Sequence, residues 1–292
     1  MEPYSDHTSQ FKLALCQLTV TNNKADNLVR ARKMLEDASH MGAKLAVLPE
    51  MWVCPYSQEY FTKCAEELDG ENQSHSPAYS MLSNVAFTQG ITIVGGSIPE
   101  LRNGRLYNTC CIFGCDGQLK GKHRKLHLFD YDAGEASFRE SDYFAAGDSP
   151  TVVDTAGVGR IGVGICHDIR FPELAMLYKR NDPAMTGVDL IIYPSAFNVS
   201  TGRMLWELEA KARAVDNQVF VALCSPSRDS EASYTIWGHS MVVGPNGEVK
   251  AIAGQKEKLV IAEIDYCENQ LQRERFPLHG AVQDKIYQFL SK

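Results

Sequence analysis

Arg160-Ile161-Gly162-Val163-Gly164-Ile165-Cys166-His167-Asp168-Ile169-Arg170-Phe171-Pro172-Glu173 is the stretch whose reading decides the fold. Its first half alternates small and β-branched residues, the pattern of a buried strand. Pro172 suits the first turn of a helix, where its missing N–H costs nothing. Leu174, Ala175, Leu177 and Tyr178 give that helix an apolar face. Cys166 therefore falls at a hinge between strand and helix. Free N–H groups at a helix start favour a thiolate, the nucleophilic form. A buried cysteine that merely packs at a strand end fits this run equally well.

The same alternation extends in both directions. Phe11 to Val20 reads as a strand, Asn27 to His40 as an amphipathic helix, and Ala43 to Leu48 as a short apolar strand stopped by Pro49-Glu50. A helix over Pro77 to Thr88 precedes a strand over Ile91 to Gly95, and Tyr107 to Lys120 forms a hairpin turning at Cys115-Asp116-Gly117. Residues 129–150 lack periodicity and read as a long functional loop. Beyond Cys166, Val188 to Tyr193 and Gln218 to Cys224 are strands around a helix over Met204 to Val215, with Trp206 and Leu208 among its apolar positions. His239 to Lys250 is a second hairpin, turning at Pro245-Asn246-Gly247, and Lys258 to Ile264 is the last strand. Strands alternating with helices, plus two antiparallel hairpins, predict an α/β fold with mixed sheets. No linker-like tract interrupts it, so one domain over residues 11–265 is expected, followed by a polar and aromatic arm over residues 266–292.

Bulk composition narrows the function. The chain has 292 residues, 44% of them hydrophobic, ample for a large core. No apolar run is long enough for a membrane helix, and the first ten residues lack a secretory-type apolar stretch. A net charge of −7 without like-charged blocks argues against nucleic acid as a partner. Nine cysteines, an odd number without Cys-x-x-Cys pairs, argue against a zinc site and for a reducing, cytoplasmic setting.

Three polar residues sit at or near strand ends: Glu50, Lys125 in the basic run 120–127, and Cys166. Separately, Glu50 reads as a solvated strand edge and Lys125 as part of a charged surface. Together they form a chemical set: a thiol, a carboxylate base to take its proton, and an ammonium to hold an oxyanion.

Leu48-Pro49-Glu50, His123-Arg124-Lys125-Leu126-His127-Leu128-Phe129-Asp130 and Gly162 to Glu173 resemble, in that order, the three signature blocks of the nitrilase, or carbon–nitrogen hydrolase, superfamily. The resemblance runs from about Phe11 to Asp265. Within the superfamily the chain is most similar to the omega-amidase branch, through Pro55-Tyr56-Ser57, Gly95-Gly96-Ser97-Ile98-Pro99-Glu100, Leu106-Tyr107-Asn108-Thr109, Tyr193-Pro194-Ser195-Ala196-Phe197-Asn198, Thr201-Gly202, Val215-Asp216-Asn217-Gln218-Val219 and Trp237-Gly238-His239-Ser240. The resemblance implies a four-layer α-β-β-α sandwich of two mixed sheets flanked by helices, and a homodimer or higher homo-oligomer that the C-terminal arm embraces. It implies a cysteine-dependent amidase without metal or other cofactor. Glu50, Lys125 and Cys166 would be catalytic, with Glu140 as a second glutamate and the His167 backbone N–H as an oxyanion donor.

The implied substrate is a small amide, the terminal amide of a short dicarboxylic monoamide such as 2-oxoglutaramate or 2-oxosuccinamate. Arg170 would bind the distal carboxylate, or else pair with Asp168 or Glu173; Tyr56, Phe197 and Trp206 would form an apolar wall, or else core. A deaminated-glutathione amidase shares the same triad, and a thiol-regulated binding scaffold would share the fold. The chain departs from the branch pattern at His167, where Tyr is usual, at Arg203-Met204-Leu205, and in a longer loop over Asn181 to Gly187.

Overall fold

The computed structural model describes residues 10–68, 76–133, 136–179, 187–232 and 234–278. In chain order the elements are β1 (Gln10–Gln17), α1 (Lys24–His40), β2 (Ala43–Val47), α2 (Gln58–Cys64), α3 (Pro77–Gln89), β3 (Thr92–Val94), β4 (Ile98–Arg102), β5 (Arg105–Phe113) and β6 (Leu119–Arg124). Then come β7 (Asp130–Ala133), β8 (Ala136–Arg139), β9 (Thr151–Thr155), β10 (Gly159–Val163), α4 (Pro172–Lys179), β11 (Leu190–Pro194) and α5 (Val199–Asn217). The chain continues through β12 (Phe220–Cys224), β13 (Met241–Val243), β14 (Val249–Ile252), β15 (Lys258–Asp265) and α6 (Tyr266–Arg275).

β1 shows why the layers number four. Leu13 and Leu15 point to one side and Ala14 and Cys16 to the other, and all four are fully buried. A strand buried on both faces needs cover on both. On one side Leu13 and Leu15 join Leu45, Val47 and Ile112 against Ile161, Val163 and Val153 of a second sheet. On the other side Ala14, Ala46 and Ile93 pack on Ala31 and Leu35 of α1 and on Val85 of α3. The first sheet runs β15-β1-β2-β3-β5-β4 with β6 added to β5; β1, β2 and β3 are parallel and their neighbours antiparallel. The second runs β14-β13-β12-β11-β10-β9 with a parallel centre.

The outer face of the second sheet is covered by α4 and α5. Gly162 explains the small residues of β10: a Cβ there would come 2.7 Å from the Tyr178 ring of α4. At Gly164 a Cβ would come equally close, 2.7 Å, to the Tyr193 ring. The mixed α-β-β-α sandwich implied by the signature blocks is the architecture seen.

Several local expectations change. The presumed loop over residues 129–150 holds the β7–β8 hairpin and a 3₁₀ turn, Glu140–Asp142, which sequence periodicity is too short to reveal. β4, β9 and α2 were also not anticipated. α5 begins earlier than Met204 because Asn198 caps it, its side chain accepting a hydrogen bond from the Thr201 N–H at 2.8 Å. Leu208 is not a core position but 63% exposed, beside Met204 at 62%. The first part of the predicted arm is α6, and it docks on its own chain: Tyr266 meets Phe11 edge-on at 5.5 Å, and Arg273 pairs with Asp189 at 2.8 Å. Ile286, Tyr287, Phe289 and Leu290 of the arm, and the insertion from Asn181 to Thr186, lie outside the described residues.

Candidate active site

Each of the three polar residues is delivered by a strand end and pinned by backbone bonds. β2 ends at Val47, the Leu48 N–H donates to Val94 O at 3.0 Å, and the chain turns so that Glu50 points inward, fully buried. The Ser97 N–H donates to Pro49 O at 3.1 Å, and Trp52 Nε1 donates to Gly95 O at 2.7 Å, so this turn cannot swing away. β6 delivers Lys125, whose N–H donates to Asn108 O at 2.9 Å and whose carbonyl accepts from Gly147 N at 2.8 Å. β10 leads into a 3₁₀ turn, Cys166–Arg170, whose first residue stands six positions ahead of the start of α4. Cys166 therefore does not sit at the start of the α-helix, as the sequence suggested. It occupies a left-handed conformation with φ +47°, one that L-residues rarely adopt and that recurs at functional sites.

The side chains converge. Lys125 Nζ donates to Glu50 Oε1 at 2.9 Å and contacts Glu140 Oε2 at 2.8 Å, all three groups being buried. Asn108 bridges the two carboxylates, donating through Nδ2 to Glu50 Oε1 at 2.8 Å and to Glu140 Oε1 at 3.1 Å. Glu140 is held further by the Phe129 N–H at 2.7 Å and the Tyr56 hydroxyl at 3.2 Å. Glu50 Oε2, by contrast, is buried without a hydrogen-bond partner among the described residues. The Cys166 thiol is near enough to the Glu50 carboxyl for each to shift the other's titration.

The electrostatics follow from burial. Desolvation raises the Glu50 pKa against the pull of Lys125, with Glu140 adding to the rise, so this carboxylate is a stronger base than an exposed one. Burial also works to lower the Lys125 pKa, but Glu140 and Glu50 outweigh it and hold the ammonium firmly protonated. Burial and the nearby Glu50 charge push the Cys166 thiol well above its ordinary value. The helix-start expectation of a resting thiolate is thus corrected: the thiol keeps its proton until a base removes it.

A narrow cleft opens over Cys166, lined by Tyr56, Phe129, His167, Arg170, Phe197, Thr201 and Tyr234. Of the predicted wall, Tyr56 and Phe197 line it; Tyr56 also stacks on Tyr234 at 4.9 Å. Trp206 does not. It is buried behind Phe197, edge-on at 5.3 Å, with Nε1 donating to His239 O at 2.7 Å, because α5 turns that position toward the sheet. Arg170 lines the cleft, and its ion pair is with Glu209 of α5, Nε to Oε1 at 2.8 Å, rather than with Asp168 or Glu173. Asp168 is engaged elsewhere, by His123, His127 and the Ile165 N–H. His167 meets Phe129 and Phe171 edge-on, and burial, reinforced by Lys125 and Arg170, lowers its pKa to about 4, so its ring is neutral near pH 7.

Asn108, Phe129 and Tyr234 are site residues that sequence reasoning did not single out. Asn108 and Phe129 stood inside motif stretches, Leu106 to Thr109 and His123 to Asp130, without a role of their own; Tyr234 carried no signal. Among the described residues no group of His, Cys, Asp or Glu side chains is arranged to hold a metal ion.

The carbon-nitrogen hydrolase family model matches residues 12–272. The chloroplastic omega-amidase of Arabidopsis thaliana is 52% identical over 97% of this chain and 75% of its own length. Human omega-amidase NIT2 is 45% identical over 96% of this chain and 97% of its own. The crystal structure of Saccharomyces cerevisiae Nit3, a member of branch 10 of the nitrilase superfamily, superposes with a TM-score of 0.86 at 41% identity, covering 98% of this chain and all of that one. The strand-end glutamate, lysine and cysteine thus stand within a full-length match, and the chain belongs to the carbon–nitrogen hydrolase family of the nitrilase superfamily.

Proposed function

We propose that this protein is an omega-amidase that hydrolyses the terminal amide of short dicarboxylic monoamides, such as 2-oxoglutaramate and 2-oxosuccinamate, through a thioester on Cys166. The observation that carries the reading is the division of labour on one carboxyl group beside the Cys166 thiol: Glu50 Oε1 is tied to Lys125 and Asn108, while the buried Oε2 has no hydrogen-bond partner among the described residues and is open to take a proton. Glu50 removes the Cys166 proton as sulfur attacks the amide carbonyl. Lys125 and the His167 N–H hold the oxyanion. Glu50 protonates the departing ammonia, leaving the thioester; water deprotonated by Glu50 then releases the acid and restores the thiol. The sum is amide plus water to acid plus ammonia, with no cofactor.

The relatives' name, omega-amidase, supports a terminal-amide substrate. Ammonia release across a panel of ω-amides, with deaminated glutathione included, tests it: turnover confined to deaminated glutathione, or to none, defeats the reading. Arg170 is the proposed receptor for the substrate's far carboxylate. Arg170→Gln is expected to raise KM for acidic amides by about tenfold to a hundredfold, the loss of one charged hydrogen bond, and to change KM for neutral short amides little. Because Arg170 also pairs with Glu209, melting temperature must be measured alongside; equal losses on both amide classes at unchanged stability contradict the assignment.

The protein is further proposed to form a homodimer through α4 and α5. Met176 of α4 and Met204 and Leu208 of α5 expose apolar surface on these packed helices. Light scattering is expected to give at least twice the chain mass at micromolar concentration, and Leu208→Glu with Met204→Glu to give the monomer. No described helix is long and apolar enough to cross a membrane.

A further inference from the structure

We infer that Asp168 is a positioning residue that locks the cysteine turn to the lysine strand and so sets Cys166 against Glu50 and Lys125. The inference rests on the reading of Cys166 as the nucleophile. Asp168 is fully buried, and both its oxygens are saturated by donors from the two sides of the site. Oδ2 accepts from the Ile165 N–H at 2.8 Å and from His123 Nε2 at 3.0 Å. Oδ1 accepts from the His127 N–H at 2.9 Å and from His127 Nδ1 at 2.8 Å.

The placement of these donors is what gives the contact a function. Ile165 and Asp168 flank Cys166-His167, so the side chain of Asp168 reaches back across the turn and closes it around the nucleophile. That turn holds Cys166 at φ +47°, a conformation that needs its surroundings to enforce it. His123 and His127 stand two residues before and two after Lys125. One carboxylate therefore ties the strained cysteine and the lysine segment to each other, although they follow strands of different sheets. Burial would raise the Asp168 pKa, but the bonds from His123 and His127 outweigh it and keep the group ionised well below the usual carboxylate range. An ionised Asp168 only accepts, so His123 presents its proton on Nε2 and His127 on Nδ1. Thr151 Oγ1 lies 3.1 Å from His123 Nδ1, and the His127 ring stacks on Phe171 at 3.6 Å, which fixes both imidazoles in these orientations.

A buried anion with four donors could serve stability alone, so the test must separate position from folding. His127→Phe keeps a ring on Phe171 and keeps the backbone donor, but deletes the Nδ1 bond. Asp168→Asn keeps the shape and loses half the acceptor capacity. Misplacement by a fraction of an ångström is expected to lower kcat by about tenfold in His127→Phe and about a hundredfold in Asp168→Asn, with KM for an ω-amide within about threefold of wild type. The rate of Cys166 alkylation by iodoacetamide, mapped by mass spectrometry to distinguish the other cysteines, is expected to fall in step. His127→Phe should melt within a few degrees of wild type, and it decides the question alone if Asp168→Asn does not fold. Wild-type kcat and alkylation rate in folded His127→Phe overturn the inference. Full turnover in Cys166→Ala would instead overturn the site reading beneath it, so the two failures are distinguishable.

Discussion

Cys166→Ala is expected to lower amide turnover by more than about a thousandfold, the scale on which removal of a covalent nucleophile acts. The fold should survive. Alanine has the same Cβ as cysteine, so the left-handed turn at φ +47° meets no new clash, and the side chain loses one buried sulfur without leaving a polar group stranded. Since the thiol is pushed well above its ordinary value, wild-type activity should also depend on a base and not on a standing thiolate population. Alkylation of Cys166 by a neutral reagent should therefore be slower than that of a free thiolate cysteine at neutral pH. Ammonia release and melting temperature check the variant together. Turnover within tenfold of wild type in a folded Cys166→Ala protein would show that the chemistry lies elsewhere.

How far the sequence spoke depended on whether a residue's role is fixed locally or by contact at a distance. The Cys166 block announced a strand and a helix because Gly162 and Gly164 must be small under Tyr178 and Tyr193, and because Pro172 marks a helix start. The 3₁₀ turn between them was invisible: it has no periodicity, and its geometry comes from Asp168 reaching back to Ile165. Glu50 and Lys125 looked like surface charges one at a time. What buries them is mutual pairing across the first sheet, which no local window contains. The β7–β8 hairpin was lost for the same reason: it returns Glu140 to Phe129, where the carboxylate meets Lys125. Arg170 lines the cleft, and its ion-pair partner was not legible because Glu209 lies on α5, almost forty positions further along the chain. Trp206 takes the second of its two readings, because helix phase turns it into the core behind Phe197.

Glu50→Gln and Lys125→Ala are each expected to reduce kcat by at least about a hundredfold, but with different effects on stability. In Glu50→Gln the amide oxygen can still accept from Lys125 Nζ and Asn108 Nδ2, as Oε1 does now at 2.9 and 2.8 Å. The amide nitrogen then takes the place of Oε2 and offers a donor where a base is required. Base function is lost while the hydrogen-bond frame stays, so melting temperature should change little. In Lys125→Ala the ammonium that faces both Glu50 and Glu140 disappears, and two buried carboxylates are left against each other with only Asn108 between them. Breaking a buried ion pair from one side costs about 3–5 kcal/mol, so this variant should lose stability as well as its oxyanion donor. The wild-type pH profile supplies an independent check. Glu50 must be ionised to act, and burial raises its pKa, so kcat/KM should fall as pH drops through a value above the ordinary carboxylate range. An acid limb at or below that of an exposed glutamate, or full activity in folded Glu50→Gln, would remove Glu50 from the role of base.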